Sequence, residues 1–215
     1  MKKIFAAAVI AACISASAAA VETKYESFGF NFSVPIFYQT QEEKGLEEEL
    51  NISSVAFGIQ ALSLYTERLG LYVNLDLFFP ETMSLRLNYA GFYSDTSSWN
   101  RSDMRSSDSI WGISALLAPA ICITQSDKML FTVSPGIHYS MLHTETSQRS
   151  SALHLFGLGA NIQNSIFFCG SGYFSFGADI AYDFYGVNIS DGESESDTLH
   201  AFTYTPRVGI GFRFK

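Results

Sequence analysis

The chain carries little charge, few cysteines and no long apolar run after its first 20 residues. Asp, Glu, Lys and Arg make up 16% of the 215 residues, against about 25% in soluble globular domains. The chain therefore has little charge with which to cover a water-facing surface. A membrane-spanning helix needs about 20 apolar residues, so none is expected after residue 20. Cys122 and Cys169 have neither CxxC nor metal-ligand spacing, which argues against a zinc module.

Basic residues are also scarce. Lys and Arg number 13 against 21 Asp and Glu, a formal net charge of −8. Nucleic-acid binding rests on Lys and Arg, so a nucleic-acid partner is not expected. No cofactor motif is present, and the spacing of the acidic runs at 41–49 and 191–197 fits no calcium loop.

The first 20 residues have the pattern of a secretory signal peptide. Lys2 and Lys3 precede an apolar stretch too short for an anchoring helix, and Ala18-Ala19-Ala20 fits a cleavage site. We expect a signal peptide at 1–20 and one domain at 21–215, whose charge moves from −8 to −10 on losing the two lysines. Ile10-Ala11-Ala12-Cys13 also resembles a loose lipobox, so lipidation of Cys13 stays an alternative. In an exported chain Cys122 and Cys169 could form a disulfide, although unpaired small residues are the favoured interpretation.

A period of two runs through the remaining chain and predicts strands with two unlike faces. In Phe202–Phe214 every even position is apolar and every odd position is Thr, Gly or Arg, apart from Pro206 on the even face. The same alternation occurs at 28–36, 55–61, 69–79, 111–123, 129–139, 156–162 and 174–184, which makes eight strands. Connections near 66–68, 125–127 and 169–172 (or 163–165) are short, whereas 39–50, 80–108, 144–150 and 188–198 are longer and polar.

Short turns at one end and long loops at the other are typical of outer-membrane barrels. One further alternating stretch, Met83 to Tyr89, lies inside the longest loop. It could be a protruding extension of the third strand, a loop hairpin or a ninth strand. Bacterial single-chain barrels have even strand numbers, which favours the protruding strand or hairpin for 83–93.

The composition of the two faces predicts which one meets lipid. One face is Phe, Leu, Ile and Val, and the other is mostly Gly, Ser, Thr, Asn and Ala with very few Lys or Glu. A narrow eight-stranded interior could not pack so many aromatic rings, so the apolar face should point outward. We therefore predict an all-β fold, an eight-stranded antiparallel transmembrane β-barrel.

The closing strand adds a resemblance. Val208, Ile210, Phe212 and Phe214 share one face and resemble the C-terminal assembly signal of outer-membrane barrels, although Lys215 follows the final aromatic. The domain as a whole is similar to small bacterial outer-membrane proteins of the OmpX, OmpA transmembrane-domain and OmpW kind. The resemblance implies a place in the bacterial outer membrane, contact with its lipid, and recognition by the barrel-assembly machinery through the last strand.

Five charged residues fall on the predicted interior face: Asp76, Asp179, Asp183, Arg207 and Arg213. A buried charge needs a partner, and eight strands leave little free bore. We expect an internal network that closes the lumen, with Asp76 or Asp179 paired with Arg207. The alternative is a gated polar channel or a binding site.

We predict that the protein acts through binding by its loops rather than through catalysis of a reaction. The loop at 80–108 carries Trp99, Arg101 and Arg105, and with 188–198 it is the candidate surface for an external ligand. We expect a non-enzymatic barrel with a structural or surface-interaction role. The alternative is a narrow porin-like channel for small molecules, hydrophobic ones included, as resemblance to the OmpW kind implies. A minor alternative is a lipid-modifying enzyme, because His138-Tyr139-Ser140 is similar to the His-x-Ser of lipid A deacylase barrels.

Overall fold

A computed structural model describes residues 24–43, 46–89, 93–105, 108–146, 150–168, 170–191 and 193–214. The predicted signal peptide, Cys13 and Cys169 lie outside these residues. The described chain forms strands β1 (Tyr25–Ser33), β2 (Ile36–Glu43), β3 (Leu46–Leu64), β4 (Leu69–Tyr89), β5 (Tyr93–Asn100), β6 (Ser109–Gln125), β7 (Met129–Glu145), β8 (Ser150–Phe168), β9 (Gly172–Ser190), β10 (Glu193–Asp197) and β11 (His200–Phe214). One 3-10 turn covers Arg101–Asp103. In this part of the chain no helix is long and apolar enough to cross a membrane.

Eight antiparallel barrel strands, called staves below because one of them consists of two strand segments, close into a ring. β1 and β2 together make the first stave, and β3, β4, β6, β7, β8, β9 and β11 follow in order. β11 closes the ring by pairing with β1, Phe28 opposite Phe212, and with β2, Tyr38 opposite Phe202. Closure leaves the ring without an unpaired edge. The predicted eight-stranded antiparallel barrel is confirmed.

Two strands stand outside the ring. β5 pairs with the upper part of β4, Met83 opposite Trp99, and β10 pairs with the end of β9. The alternating stretch at 83–89 is thus an extension of the third stave that folds back as a hairpin with β5. The longest predicted loop is mostly strand, and the ring keeps an even number of staves.

The outer surface of the ring is apolar. Large apolar side chains stand exposed on successive staves; Phe30 is 57% exposed, Ile137 64% and Leu158 62%. Water would not favour so continuous an apolar surface, whereas a lipid bilayer does. The predicted outward direction of the apolar face is confirmed.

Two prolines on this surface face each other. Pro119 and Pro135 occupy opposite positions in a stretch of the β6–β7 ladder, between Leu117/Ile137 and Ile121/Val133, where pairing lapses. Proline has no N–H to donate to a ladder. Placing both prolines at one rung confines the lost hydrogen bonds to a single short gap.

The interior differs from the sequence expectation at the short-turn end. There the lumen is packed by a buried apolar cluster consisting of Tyr25, Leu62, Leu64, Tyr72, Leu116, Ala118, Ala120, Cys122 and Leu130. The sequence predicted an interior made mostly of Gly, Ser, Thr, Asn and Ala. The bulky side chains fit because they alternate across facing staves with Ala118 and Ala120, which leave room for them.

A bulge separates the membrane belt from the projecting strands. The β3–β4 register shifts between Ser53 and Ser54, so that Pro80 pairs with Ser54, Thr82 pairs with Ser53 and Glu81 is the extra residue. An extra residue inverts the side-chain phase of a strand. Met83 therefore shares a face with buried Ile52, and the apolar residues of upper β4 line the inside of the projecting wall.

Candidate functional site: the lumen and the outer rim

The centre of the lumen holds a buried ion cluster. Arg207 on β11 donates from Nη2 to Asp76 Oδ2 on β4 at 3.0 Å, and the same nitrogen donates to Asp179 on β9. All three residues are buried. The neighbouring strands β9 and β11 are thereby tied across the bore to β4, which is far from them in sequence.

Amide side chains complete this cluster. Asn74 Nδ2 donates to Asp76 Oδ2 at 2.7 Å, and Asn161 Nδ2 donates to Asp179 Oδ1 at 2.6 Å. With its amide nitrogen towards Asp76 Oδ1 at 2.9 Å, Asn31 accepts from Arg207 Nη1 at 3.2 Å. One cation faces two carboxylates here, so neutral donors are needed to satisfy the remaining carboxylate oxygens.

Glycine makes room for the cluster. A Cβ atom at Gly58 would collide with the Asp76 carboxylate, the Leu75 carbonyl and the Asn31 amide. Any larger residue at this position of β3 would push Asp76 away from Arg207. The small residues on the interior face therefore leave the room that the charged side chains occupy.

A second polar cluster lies beside the first, nearer the outer end. His138 Nδ1 is 2.8 Å from Asp183 Oδ1, and His138 Nε2 is 3.0 Å from Ser114 Oγ. Asp183 was expected in the Arg207 network, but the structure places it against His138. Gly157 on β8 pairs with His138 on one side and with Asp183 on the other, and its missing side chain leaves space for the carboxylate.

Arg213 lies apart from both clusters. Its Nε donates to the carbonyl of Gly170 at 2.9 Å, and its guanidinium stands 4.4 Å from the centre of the Phe167 ring. Strand phase alone suggested a place in the network. Arg213 lies too close to the end of β11 to reach the Arg207 network. Its long side chain instead contacts the β8–β9 turn at the short-turn end of the barrel.

A small cavity lies between these clusters and the outer end of the barrel. Its volume is about 40 Å³, room for roughly three water molecules. Asp76, Ser114, His138, Ser140, Thr203 and Thr205 contribute its polar wall, and Phe37, Ile52, Phe78, Leu142, Leu153 and Leu155 its apolar wall. Leu155 also packs with Leu199 and Ala201, next to Phe37 and Leu153, in a compact apolar cluster at that end.

The three residues of the predicted loop surface have different surroundings. Trp99, on β5, is half-buried and lines a surface groove of about 180 Å³. Arg101 lies 5.5 Å above the Phe79 ring and donates to the Pro80 carbonyl at 3.4 Å, so it holds the base of the hairpin. Arg105 is exposed.

The residues of the C-terminal signal face outward. Val208, Ile210, Phe212 and Phe214 are between 46% and 59% exposed. They form one row of the outer belt on the strand that closes the ring. Their recognition by an assembly machinery stays a prediction.

The His-x-Ser stretch on β7 points into the lumen. His138 and Ser140 are both buried, away from the surrounding lipid. The serine that His138 meets is Ser114 on the neighbouring stave, opposite Ser140 in the ladder. The sequence could not indicate Ser114, because only the β6–β7 register brings it to the imidazole. No group of three or more His, Cys, Asp or Glu suited to a metal ion occurs among the described residues.

Together, a closed eight-stave ring, an apolar outer belt and a polar lumen define a small β-barrel of the kind that spans the bacterial outer membrane. No protein-family model matches the chain, and no curated protein matches it. Solved structures of outer-membrane proteins do match it in fold.

Three of these structures cover nearly the whole chain at low identity. Neisserial surface protein A aligns with a TM-score of 0.56 and 9% identity, over 88% of this chain and 97% of that one. The outer-membrane protein AlkL aligns with a TM-score of 0.54 and 12% identity, over 91% and 92%. OprG from Pseudomonas aeruginosa aligns with a TM-score of 0.53 and 8% identity, over 90% and 97%. At these identities the likeness is one of fold.

Proposed function

We propose that the protein is an exported outer-membrane barrel with a closed lumen, whose projecting strands serve as an interaction surface outside the cell. The observation that carries this proposal is the buried Arg207 cluster. It joins β4, β9 and β11 across the bore at mid-height, with amides filling the space around it. A lumen occupied in this way supports a scaffold role more strongly than a transport role.

The length of the staves supports the surface role. β3 has 19 residues, or roughly 60 Å of strand at about 3.3 Å per residue. With a tilt of about 40° this gives a height of roughly 48 Å, whereas the apolar belt of such barrels is about 25 Å tall. On the order of 20 Å of β-sheet would therefore stand above the membrane.

The projecting wall carries an acidic surface. On its outer face Glu49 pairs with Arg86 at 3.8 Å, and Glu47 accepts from Asn88 at 3.3 Å. Across the rim, Glu193 and Glu195 of β10 are exposed. We propose a partner with basic groups, engaged by this rim and by the hairpin that bears Trp99.

Trypsin treatment of intact cells tests the surface role. Arg105 follows the hairpin and is exposed, so cleavage there should occur from outside the cell while the membrane-embedded staves stay protected. An Arg105→Gln variant is the matched control and should lose that cut. Cleavage only after the outer membrane is broken would contradict the proposed orientation.

A second candidate is passage of small apolar molecules. The outer half of the lumen favours it, because Phe37, Ile52, Leu142 and Leu153 give the cavity an apolar wall. Uptake of a small fluorescent hydrocarbon probe by vesicles containing the barrel distinguishes the two candidates. The closed scaffold predicts uptake equal to that of protein-free vesicles, and faster uptake favours passage.

A further inference from the structure

The second polar cluster has the connectivity of a nucleophile, a base and an orienting carboxylate. Ser114 Oγ meets His138 Nε2 at 3.0 Å, and His138 Nδ1 meets Asp183 Oδ1 at 2.8 Å. In serine hydrolases the imidazole likewise uses Nε2 towards the serine and Nδ1 towards the carboxylate. We propose that Ser114 is a nucleophile, activated by His138, that accepts the acyl group of a small ester entering from the outer end of the barrel. This goes beyond the surface role and is independent of it.

The burial of the three residues follows their roles. Asp183 is fully buried and His138 is 4% exposed, whereas Ser114 is partly exposed and lines the cavity. The reactive oxygen thus faces space while its base and the positioning carboxylate are held in the wall. A Cβ atom at Gly157 would collide with Asp183, so the approach of Asp183 to His138 depends on that glycine.

The cavity also offers a polar atom that lacks a partner. Thr203 Oγ1 lines the same cavity and is buried without a hydrogen-bond partner among the described residues. A hydroxyl in this state can donate to an oxygen that gains negative charge during acyl transfer. The mixed wall suits a short acyl chain attached to a polar ester group.

The volume of the cavity limits the substrate. About 40 Å³ is far below the roughly 300–1,000 Å³ of sites for drug-sized ligands. Only the reacting end of a slim ester would fit against Ser114. We therefore assign short-chain acyl esters as the substrate class, rather than the bulky acyl chains of membrane lipid.

The step balances without another reagent. Ser114 Oγ forms a bond to the acyl carbon, and its proton passes to His138 Nε2. The ester C–O bond then breaks, and the leaving alcohol takes that proton. Water attacks the acyl-Ser114 ester, gives its proton to His138, and the carboxylic acid departs as the proton returns to Ser114 Oγ.

A small alkyl fluorophosphonate is the direct probe, because the same attack releases fluoride and leaves a stable phosphonyl-serine. The barrel is refolded in detergent, treated with the probe and analysed by peptide mass spectrometry. We expect label on Ser114 and no label in Ser114→Ala. Ser134→Ala, which removes a buried hydroxyl on β7 that does not line this cavity, should label like the wild type.

The Asp183→Asn variant separates an activating role from a structural one. We expect its maximal labelling rate to fall at least roughly tenfold, while the probe concentration at half-maximal rate stays unchanged. All variants are first checked for the heat-modifiable shift of a folded barrel on a gel. If Ser114→Ala fails to fold, Ser114→Cys is compared with Ser140→Cys for alkylation by iodoacetamide, and the thiol of Ser114→Cys should react faster.

Several outcomes would overturn the proposal. They are no labelling of the folded wild type, labelling confined to Ser140, equal rates in wild type and Asp183→Asn, or equal alkylation of the two cysteine variants. Each would mean that the Ser114–His138–Asp183 contacts only satisfy buried polar groups.

Discussion

Replacing Arg207 by methionine should strongly destabilise the folded barrel. The substitution keeps most of the length of the side chain but removes the cation shared by Asp76 and Asp179, both of which are buried. Breaking a buried pair from one side costs about 3–5 kcal/mol, because the remaining charge stays uncompensated. Since about 1.4 kcal/mol is a factor of ten, the unfolding equilibrium should shift by roughly 10²- to 10⁴-fold.

Neutralising the carboxylates should reverse most of that loss. In the triple variant Arg207→Met, Asp76→Asn, Asp179→Asn no unpaired charge remains, and replacement of a whole buried ion cluster by neutral groups is often tolerated. The triple variant should therefore be more stable than Arg207→Met alone, although it carries two more substitutions. Such non-additivity is expected for residues that share one ion-pair network, as Asp76 and Asp179 do through Arg207.

Urea unfolding in lipid vesicles, followed by tryptophan fluorescence, gives both free energies. Asp95→Asn, on the exposed hairpin strand β5, is the matched control for a lost carboxylate and should change stability by less than about 0.5 kcal/mol. The account would be refuted if Arg207→Met cost less than about 1 kcal/mol, or if the triple variant were less stable than the single one.

Three further outcomes are expected. Ile137→Arg places a charge on the middle of the lipid face and should cost about 2–4 kcal/mol in vesicle unfolding, whereas Thr96→Arg on the exposed hairpin should cost almost nothing. Gly157→Ala should destabilise the barrel by about 1–3 kcal/mol, measured in the same assay, because its methyl group would meet Asp183 and the Tyr182 carbonyl. Replacing residues 84–98 by a two-residue turn should leave the heat-modifiable gel shift intact, because β5 pairs with β4 outside the ring.

The sequence predicted the fold well because a barrel repeats one simple rule. Alternation gave the staves and their outward face, since lipid selects apolar side chains at every second position. It also placed Asp76, Asp179 and Arg207 on the inner face. The strand limits were less predictable, because β3 continues through the acidic run Glu47–Glu49 and upper β4 alternates in the opposite phase above its bulge, so neither extension carries the lipid-facing signal.

Contacts across the lumen depend on register, which alternation does not specify. Asp183 meets His138 because both pair with Gly157, one from each side, and Gly157 has no side chain to separate them. Ser114 becomes relevant only because β6 pairs with β7 in one particular register. The bulge at Glu81 inverts the side-chain phase of upper β4, so the direction of Met83 could not be derived from the phase of the strand below it.

Current through a planar lipid bilayer tests the central claim, the closed lumen, most directly. The refolded wild-type barrel should insert and remain silent, because the Arg207 cluster and the apolar cluster around Tyr72 occupy the bore. Insertion is verified separately by protection of the staves from protease in the same lipid. Discrete, reproducible current steps from wild-type protein would contradict the closed lumen and would favour the channel.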